Sequence, residues 1–252
     1  MELTGQEQQD TVVIAKLVLD RLGVAYTLDQ EKNLLIPKTK ALTDTLRAIA
    51  LIEPTWKLET SDQSHSFGRK RPDETIGLWS VPPKSALVLE NLVVLTDSKV
   101  VVEIGTSAGY AALHLAHGAQ STRGRVYTIE LLKEKIDLAK KHFGTSGMEN
   151  ITLVEDEASH ALREWKEGNI DFVFIDADKE KYGTYLNMLL PLMRVGGLIV
   201  ADNVNDYGHL MEDYLQKVSG THLPNSRTDH RVKSQYLAAL DNGLMVTKKI
   251  SD

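Results

Sequence analysis

Polar side chains follow two predicted strands at the points where those strands end. Asp176 comes directly after the predicted strand 171–175, and Asp202 and Asn203 follow the predicted strand 198–201. Because parallel strands bring their carboxyl ends to one edge of a sheet, these three side chains are expected to converge. Carboxylate and amide oxygens suit Mg²⁺, Mn²⁺ or Ca²⁺. One Asp would suffice to cap a following helix, so the pattern favours a divalent-metal site over helix capping.

A glycine-containing loop follows the first predicted strand and has the sequence Glu103-Ile-Gly-Thr-Ser-Ala-Gly-Tyr110. Gly105 permits a tight turn, and Gly109 permits the close approach of a helix or a ligand. The spacing differs from the Gly-x-Gly-x-x-Gly pattern that binds a pyrophosphate, and the sequence has no Gly-Lys-Ser/Thr P-loop. The loop therefore predicts a nucleotide-like ligand that lacks a diphosphate.

Acidic residues follow the next two predicted strands. Glu130 comes after the second strand, at a position where a carboxylate can accept both ribose hydroxyls. The turn 155–158, which contains Glu157 and Ala158, follows the third strand and is a candidate for contact with an adenine edge. Acidic residues at the start of a helix are also favoured by the helix dipole alone, so this turn has a purely structural alternative.

The elements that must position these residues begin near residue 79. Predicted strands cover 99–104, 125–129, 151–154, 171–175 and 198–201, and predicted helices cover 107–117, 132–143, 158–165, 181–193 and 207–218. This alternation predicts an α/β fold with a doubly wound, Rossmann-like sheet that is mostly parallel. The segments 235–240 and 244–249 flank Asp241-Asn242-Gly243, which predicts a C-terminal antiparallel hairpin.

Residues 1–75 form a mainly helical N-terminal extension in this prediction, and residues 76–252 form the ligand-binding domain. The spacing of apolar residues predicts helices over 11–22 and 43–52. The basic cluster 68–72, which is Gly-Arg-Lys-Arg-Pro, is expected to be a solvated loop rather than a nucleic-acid patch.

Composition excludes several classes of protein. The absence of cysteine excludes disulfides, thiolate zinc sites, iron–sulfur clusters and a cysteine nucleophile. The formal net charge of −6 provides no global attraction to nucleic acid. The first residues lack a signal-peptide pattern, and the apolar stretches are too short to span a bilayer. We therefore expect a soluble, cytoplasmic protein that does not associate with membranes.

Three segments taken together resemble the S-adenosylmethionine (SAM)-dependent O-methyltransferases of the caffeoyl-CoA and catechol type: 103–110, 176–179 and 196–203. The resemblance extends from about residue 79 to the C-terminus. It implies a class I methyltransferase with SAM as methyl donor, a divalent cation (Mg²⁺, alternatively Mn²⁺ or Ca²⁺) and a homodimer. The implied reaction moves a methyl group to a hydroxyl of a small catechol-like or hydroxylated aromatic acceptor.

The resemblance also implies roles for individual residues. Asp176, Asp202 and Asn203 match the metal ligands, and Lys179 matches a general base that acts with Asp176 in catalysis. The metal would lower the pKa of an acceptor hydroxyl, and Lys179 would take its proton. The glycine loop would hold the methionine part of the donor, Glu130 the ribose, and the turn after the third strand the adenine. The implied donor-binding residues are Glu103, Gly105, Thr106, Ser107, Gly109, Tyr110, Glu130, Glu157, Ala158, Asp176 and Asp178.

The sequence departs from the family pattern near the acceptor and the donor. Ala111 stands where many relatives have a donor-binding Ser. The segment 79–89 lacks the acidic residue and the Gln-Phe-Leu of relatives, and the segment 204–209 lacks the Thr-Leu-Trp of the plant enzymes. A lignin precursor is therefore not implied, and the acceptor pocket is expected to be particular to this chain.

Other functions remain open alternatives. The same chemistry on a hydroxylated tRNA base is weakly supported by the basic cluster and weakly opposed by the acidic net charge. A metal-independent small-molecule methyltransferase is a second alternative. A nicotinamide dehydrogenase is disfavoured by the missing Gly-x-Gly-x-x-Gly pattern, and a non-catalytic binding protein by the intact Asp176, Lys179, Asp202 and Asn203.

The remaining polar residues are expected to be structural. His114 and His117 lie on a helix that points away from the strand ends, so we predict that they are packed or solvated. Trp79 is expected near the mouth of the pocket. A solvated helix face is predicted for Lys133, Lys135, Lys140 and Lys141.

Overall fold

Seven strands form one mixed sheet in the computed structural model, which describes residues 3–58, 75–218 and 228–252. The strands are β1 Val100–Ile104, β2 Arg125–Glu130, β3 Ile151–Glu155, β4 Ile170–Ile175, β5 Met193–Ala201, β6 Val232–Leu237 and β7 Leu244–Lys249. Their order across the sheet is β3-β2-β1-β4-β5-β7-β6. The first five strands are parallel, whereas β7 is antiparallel to both β5 and β6. The predicted doubly wound, mostly parallel sheet is therefore confirmed.

Helices connect and cover the strands. They are α1 Gly5–Leu22, α2 Leu28–Lys32, α3 Lys40–Ile52, α4 Pro83–Leu95, α5 Tyr110–Thr122, α6 Lys133–Ser146, α7 Ala158–Arg163, α8 Tyr182–Leu189, α9 Val204–Tyr207 and α10 Glu212–Val218. None of the helices in the described ranges is long and apolar enough to cross a membrane. The predicted helix 207–218 is wrong as one element, because a 3-10 turn over Gly208–Leu210 separates α9 from α10.

The C-terminal hairpin differs from its prediction in one strand. The second strand lies where expected, but β6 ends at Leu237 and not at residue 240. The loop after β6 is held by α9 instead of by β7: Asn205 N–H donates to the carbonyl of Asn242 at 2.8 Å, and Val204 N–H to that of Gly243 at 3.2 Å. β6 and β7 pair as far as Leu237 with Leu244, so residues 238–243 form the connecting loop.

The buried residues form one apolar layer on each face of the sheet. Alternate residues of β1 serve opposite faces, since Val101 packs in the cluster under α4 and α5, while Val102 packs in the cluster under α7 and α8. Burial on both faces explains why the sequence of β1 is continuously apolar up to Glu103. The sheet is thereby fixed on both sides, and its carboxyl-end edge becomes a rigid platform.

The N-terminal extension packs on the helical face beside α4. Thr4 begins α1 with a capping box to Glu7, and Gly23 ends the helix at φ 62°. Because this cap lies upstream of the predicted start, the helix is longer than the predicted 11–22. Ala15 and Leu19 of α1 are fully buried in the same cluster as Leu89 of α4. The basic cluster 68–72 lies outside the described residues, so its predicted role stays a prediction.

Candidate active site

A cavity of about 290 Å³ opens at the carboxyl ends of the parallel strands. It lies where the sequence pattern predicts a ligand, next to the loops that follow β1, β2, β3, β4 and β5. The predicted site residues that line it are Gly105, Ser107, Glu130, Glu157, Ala158, Asp176, Asp178, Lys179 and Asn203. Glu103, Thr106, Gly109, Tyr110 and Asp202 are not part of its lining.

Gly105 allows the first loop to turn tightly against the end of β4. Its φ is 101°, and a Cβ at this position would collide with the carbonyl oxygen of Asp176. Gly109 begins α5 at φ 89°, and a Cβ there would lie 2.5 Å from the ring of Phe143. Both glycines are therefore required by the backbone path, and Gly105 places the loop directly beside the acidic residues of β4.

Glu130 is oriented by backbone N–H groups on two sides. Its Oε2 accepts from Ser107 N–H at 2.9 Å, and its Oε1 accepts from the N–H groups of Leu131 and Leu132, both at 2.9 Å. The carboxylate therefore joins the glycine loop to the segment that leads into α6. A carboxylate has about four lone-pair sites, so these three bonds leave capacity for a hydroxyl donor in the cavity.

Glu103 and Thr106 lie beneath the cavity and not in its wall. Glu103 is fully buried and accepts from the Thr128 hydroxyl, which also contacts the Thr106 hydroxyl. The second carboxylate oxygen, Oε1, has no partner in the described chain. Burial, reinforced by the charges of Asp176 and Glu130, raises the pKa of Glu103 well above its ordinary value. The structure thus places these two side chains in the support of the loop.

Tyr110 faces a different crevice. It lines a second cavity of about 780 Å³ between the N-terminal extension and helices α4 and α5, together with His114. The ring of Tyr110 lies 5.2 Å from that of His114. The structure therefore separates Tyr110 from the residues of the first cavity with which the resemblance grouped it.

The turn after β3 serves as a helix cap and also lines the cavity. Glu157 is the N-cap of α7, where its side chain accepts from His160 N–H at 3.0 Å. Lys181 donates to the same carboxylate at 3.3 Å. Asp156, Glu157 and Ala158 all line the cavity, so the structural role of Glu157 does not exclude contact with a ligand.

Asp176, Lys179 and Asp202 form a compact charged group at the ends of β4 and β5. Lys179 donates to Asp176 Oδ1 at 2.7 Å and to the Tyr182 hydroxyl at 2.9 Å, and Tyr182 in turn donates to the carbonyl of Ile175 at 3.0 Å. Lys179 is 9% exposed. Its ammonium is therefore held in one place, close to the cavity.

Asp202 is the least satisfied member of this group. It is 2% exposed, and its Oδ1 has no hydrogen-bond partner within the described residues. Burial, followed by the charge of Asp176, raises the pKa of Asp202 to about 7, although Lys179 acts to lower it. Two crowded carboxylates with an unpartnered oxygen are an arrangement that a cation would relieve.

The donor set fits a divalent metal ion. Asp176 and Asp202 supply two carboxylates, and the adjacent Asn203, held at φ 66°, supplies an amide oxygen. The described ranges contain no group of three or more His, Cys, Asp or Glu side chains that could hold a metal, so a metal bound here would take the Asn203 amide as its third protein ligand. Oxygen donors of this kind suit Mg²⁺, Mn²⁺ or Ca²⁺.

Lys135 is the functional candidate that the sequence analysis missed. Its predicted place on a solvated face is wrong, because it is 7% exposed and lines the cavity beside Trp79. A signal was present: Lys135 is in helical phase with the buried Ala139 and His142, at spacings of four and seven. The neighbouring Lys133 fits the prediction, since its side chain is 70% exposed.

The packed role of the two histidines is confirmed. His114 and His117 both donate through Nδ1 to Glu90, at 2.7 and 2.8 Å, and Lys38 of the extension lies 2.8 Å from the same carboxylate. Burial by itself would raise the pKa of Glu90, but the hydrogen bonds from both histidines hold it well below the ordinary value. This buried group joins the extension to α4 and α5.

The fold and the cavity indicate a Rossmann-like methyltransferase. Comparison with known proteins agrees with this class. The family model described as O-methyltransferase matches residues 66–250, and the chain belongs to that family. A catechol O-methyltransferase of Niastella koreensis is 34% identical over 138 residues, which cover 53% of this chain and 62% of the relative. Tricin synthase 2 of Oryza sativa subsp. japonica is 32% identical over 137 residues, which cover 52% and 47% respectively.

The chain thus spans from about half to under two thirds of the length of these curated relatives. A solved O-methyltransferase structure from Bacillus cereus, in complex with SAH, matches with a TM-score of 0.63 at 22% identity. That match covers 96% of this chain and 100% of the other. At such an identity it shows the shared fold alone.

Proposed function

We propose that this protein is a SAM-dependent O-methyltransferase that acts on a small catechol-like or hydroxylated aromatic acceptor with the help of a divalent cation. The observation that carries the proposal is the buried, unpartnered Oδ1 of Asp202 beside Asp176, in a group that borders the glycine-loop cavity. A donor pocket and an oxygen-ligand metal site share one wall. That is what methyl transfer to a chelated hydroxyl requires.

Donor binding uses the side chains that line the first part of the cavity. Glu130, already fixed by three N–H groups, accepts a ribose hydroxyl with its remaining capacity. The turn containing Glu157 and Ala158 lies against the adenine. Asp176 and Asp178 provide negative charge for the amino group and the sulfonium of the donor.

Acceptor activation uses Lys179. Asp176, Asp202 and Asn203 would hold a divalent cation, whose positive charge would lower the pKa of an acceptor hydroxyl. In its neutral form Lys179 takes the hydroxyl proton on Nζ. The acceptor oxygen then forms a bond to the methyl carbon while the carbon–sulfur bond breaks, and S-adenosylhomocysteine (SAH) leaves with the electron pair of that bond. Residues 204–209 follow the metal ligands and are expected to shape the acceptor side. As the resemblance implies, we propose a homodimer.

Calorimetric titration with SAM, followed by assay of catechol methylation with Mg²⁺ or with EDTA, tests the proposal. The wild-type protein should bind SAM and methylate catechol only with Mg²⁺. Asp202→Asn should still bind SAM but lose the Mg²⁺-dependent activity, whereas Asp29→Asn, with a side chain 88% exposed on α2, should behave as wild type. SAM binding with activity that EDTA leaves unchanged would retain the methyltransferase and discard the metal. Absence of SAM binding would overturn the proposal.

A further inference from the structure

Lys135 places a buried ammonium in the wall of the cavity. It lies in the first turn of α6, and its Nζ is 5.1 Å from the centre of the Trp79 ring. A cation over an indole face is stabilised, but an aromatic ring replaces only part of the solvation that an ammonium loses on burial. Burial indeed lowers the pKa of Lys135, while Glu130 and Asp176 act against that shift. The site therefore favours an anion close to Nζ.

The other two lysines of the cavity wall already have carboxylate partners. Lys179 is paired with Asp176 at 2.7 Å, and Lys181 with Glu157 at 3.3 Å. Lys135 forms no ion pair with any residue in the described part of the chain. Among the cavity lysines, it is thus the one whose charge is available to a ligand.

We propose that Lys135 binds a carboxylate group of a ligand in this cavity, and that this group is the α-carboxylate of the methyl donor. This inference rests on the proposed function. Elsewhere the cavity wall is acidic, with Glu130, Asp156, Glu157, Asp176 and Asp178. Acidic side chains suit the hydroxyls, the ammonium and the sulfonium of SAM, but they repel its carboxylate. Lys135 supplies the complementary charge for the one anionic group of the donor.

The position of Lys135 favours the donor over the acceptor as the source of the carboxylate. Glu130 is the acidic residue that affects Lys135 most strongly, and Glu130 is bonded to Ser107 in the glycine loop. Trp79, over which the ammonium lies, follows Leu78, whose carbonyl accepts from the Ser107 hydroxyl at 2.5 Å. These contacts place Lys135 on the glycine-loop side of the cavity. An acceptor carboxylate is the other source, and the experiment separates the two.

The test compares two ligands that differ only in the carboxylate. Wild type, Lys135→Met and Lys133→Met are titrated calorimetrically with SAH and with decarboxylated SAH (S-adenosyl-3-thiopropylamine). Since a hydrogen bond between charged groups contributes about 1.5–3 kcal/mol, Lys135→Met should weaken SAH binding by about tenfold or more. The same change should leave the affinity for decarboxylated SAH within about twofold. Lys133→Met, a solvated lysine on the same helix, should bind both ligands as wild type does.

Lys135→Arg keeps the charge and serves as the second variant. It should retain most of the preference of wild type for SAH over decarboxylated SAH, even if Lys135→Met proves poorly folded. Equal weakening of both ligands in Lys135→Met would overturn the inference and assign Lys135 a packing role against Trp79.

Unchanged SAH affinity in Lys135→Met, together with a raised KM for 3,4-dihydroxybenzoate but not for catechol, would overturn the donor assignment in favour of the acceptor. A wild-type protein that binds no SAH would overturn the proposed function, and the inference with it. If wild type binds SAH and Lys135→Met binds it with the same affinity, the inference about Lys135 is overturned while the proposed function is retained.

Discussion

Asp176 and Asp202 extend two adjacent strands at the same level. They follow Ile175 of β4 and Ala201 of β5, which are direct partners in the parallel register. Asp202 is buried at this point with an unpartnered oxygen, whereas Asp176 is paired with Lys179. Strand register therefore creates a crowded pair of carboxylates at the edge of the cavity, and the pair determines much of what the site can do.

Asp202→Asn should stabilise the metal-free protein at pH 8. The pKa of Asp202 is about 7 in the folded protein, against an ordinary value of 3.8. The folded state therefore holds a proton that the unfolded state has lost, and the contribution of this group to stability falls as pH rises from about 4 to about 7. Urea unfolding in EDTA at pH 5 and pH 8 measures the effect. If the free energy of unfolding depended equally on pH in wild type and Asp202→Asn, the prediction would be contradicted.

Glu90→Gln should destabilise the fold by about 3–5 kcal/mol, because it leaves His114, His117 and Lys38 facing one another without a buried counter-charge. Chemical denaturation at pH 7 measures the loss. Glu149→Gln, the same substitution at an exposed position, is a matched control and should change stability little. A loss below about 1 kcal/mol would show that the three basic groups find other partners.

The buried cluster around Glu90 should also make the fold less stable in acid. Burial lowers the folded-state pKa of His114 although its bond to Glu90 acts to raise it, so the unfolded state binds a proton first as pH falls below about 6.5. The pKa of Glu90 is also lowered, so its contribution is present above about 4.5 and is lost as pH falls further. Tyr110 and Lys38 also face these side chains. The free energy of unfolding of wild type should therefore fall from pH 7 to pH 4, and urea denaturation at pH 7, 5.5 and 4 measures the fall. A free energy of unfolding that stays constant over this range would contradict the prediction.

Gly105→Ala should weaken SAH binding by at least tenfold. The added Cβ would strike the carbonyl oxygen of Asp176, and φ 101° is unfavourable for alanine, so the loop must move out of the cavity edge. Gly144→Ala is the control, because a Cβ on this exposed position of α6 has nothing within 4 Å. Calorimetry gives the affinities. If Gly105→Ala bound SAH with wild-type affinity, the glycine loop would not be required for donor binding.

Lys179→Met should lower kcat for catechol methylation by about 10²–10⁴-fold, which is the usual contribution of a positioned general base. SAH affinity should stay within about threefold, since Lys179 contacts Asp176 and Tyr182 and not Glu130, the proposed ribose ligand. Lys166→Met, with a side chain 81% exposed, is the control. If Lys179→Met had a kcat near that of wild type, Lys179 would not be the group that takes the proton.

Much of the site could be predicted because its determinants are local in the chain. Asp176, Asp202 and Asn203 each follow an apolar run, and a run buried on both faces must end at the sheet edge where polar atoms reach solvent or a ligand. Gly105 was predictable for the same reason, since the turn it forms depends on backbone conformation. The mostly parallel sheet followed from the regular alternation of strands and helices, which restricts the connections that are possible.

What the sequence by itself determined is thus the order of strands and helices and the residues at the strand ends. Only the tertiary structure decided which side chains share the cavity. It buries Lys135 against Trp79, turns Tyr110 toward the second crevice, and encloses Glu103 beneath the loop. The reason is physical: a strand end is set by its own neighbours in sequence, whereas the burial of a helical side chain depends on which distant segment packs over it.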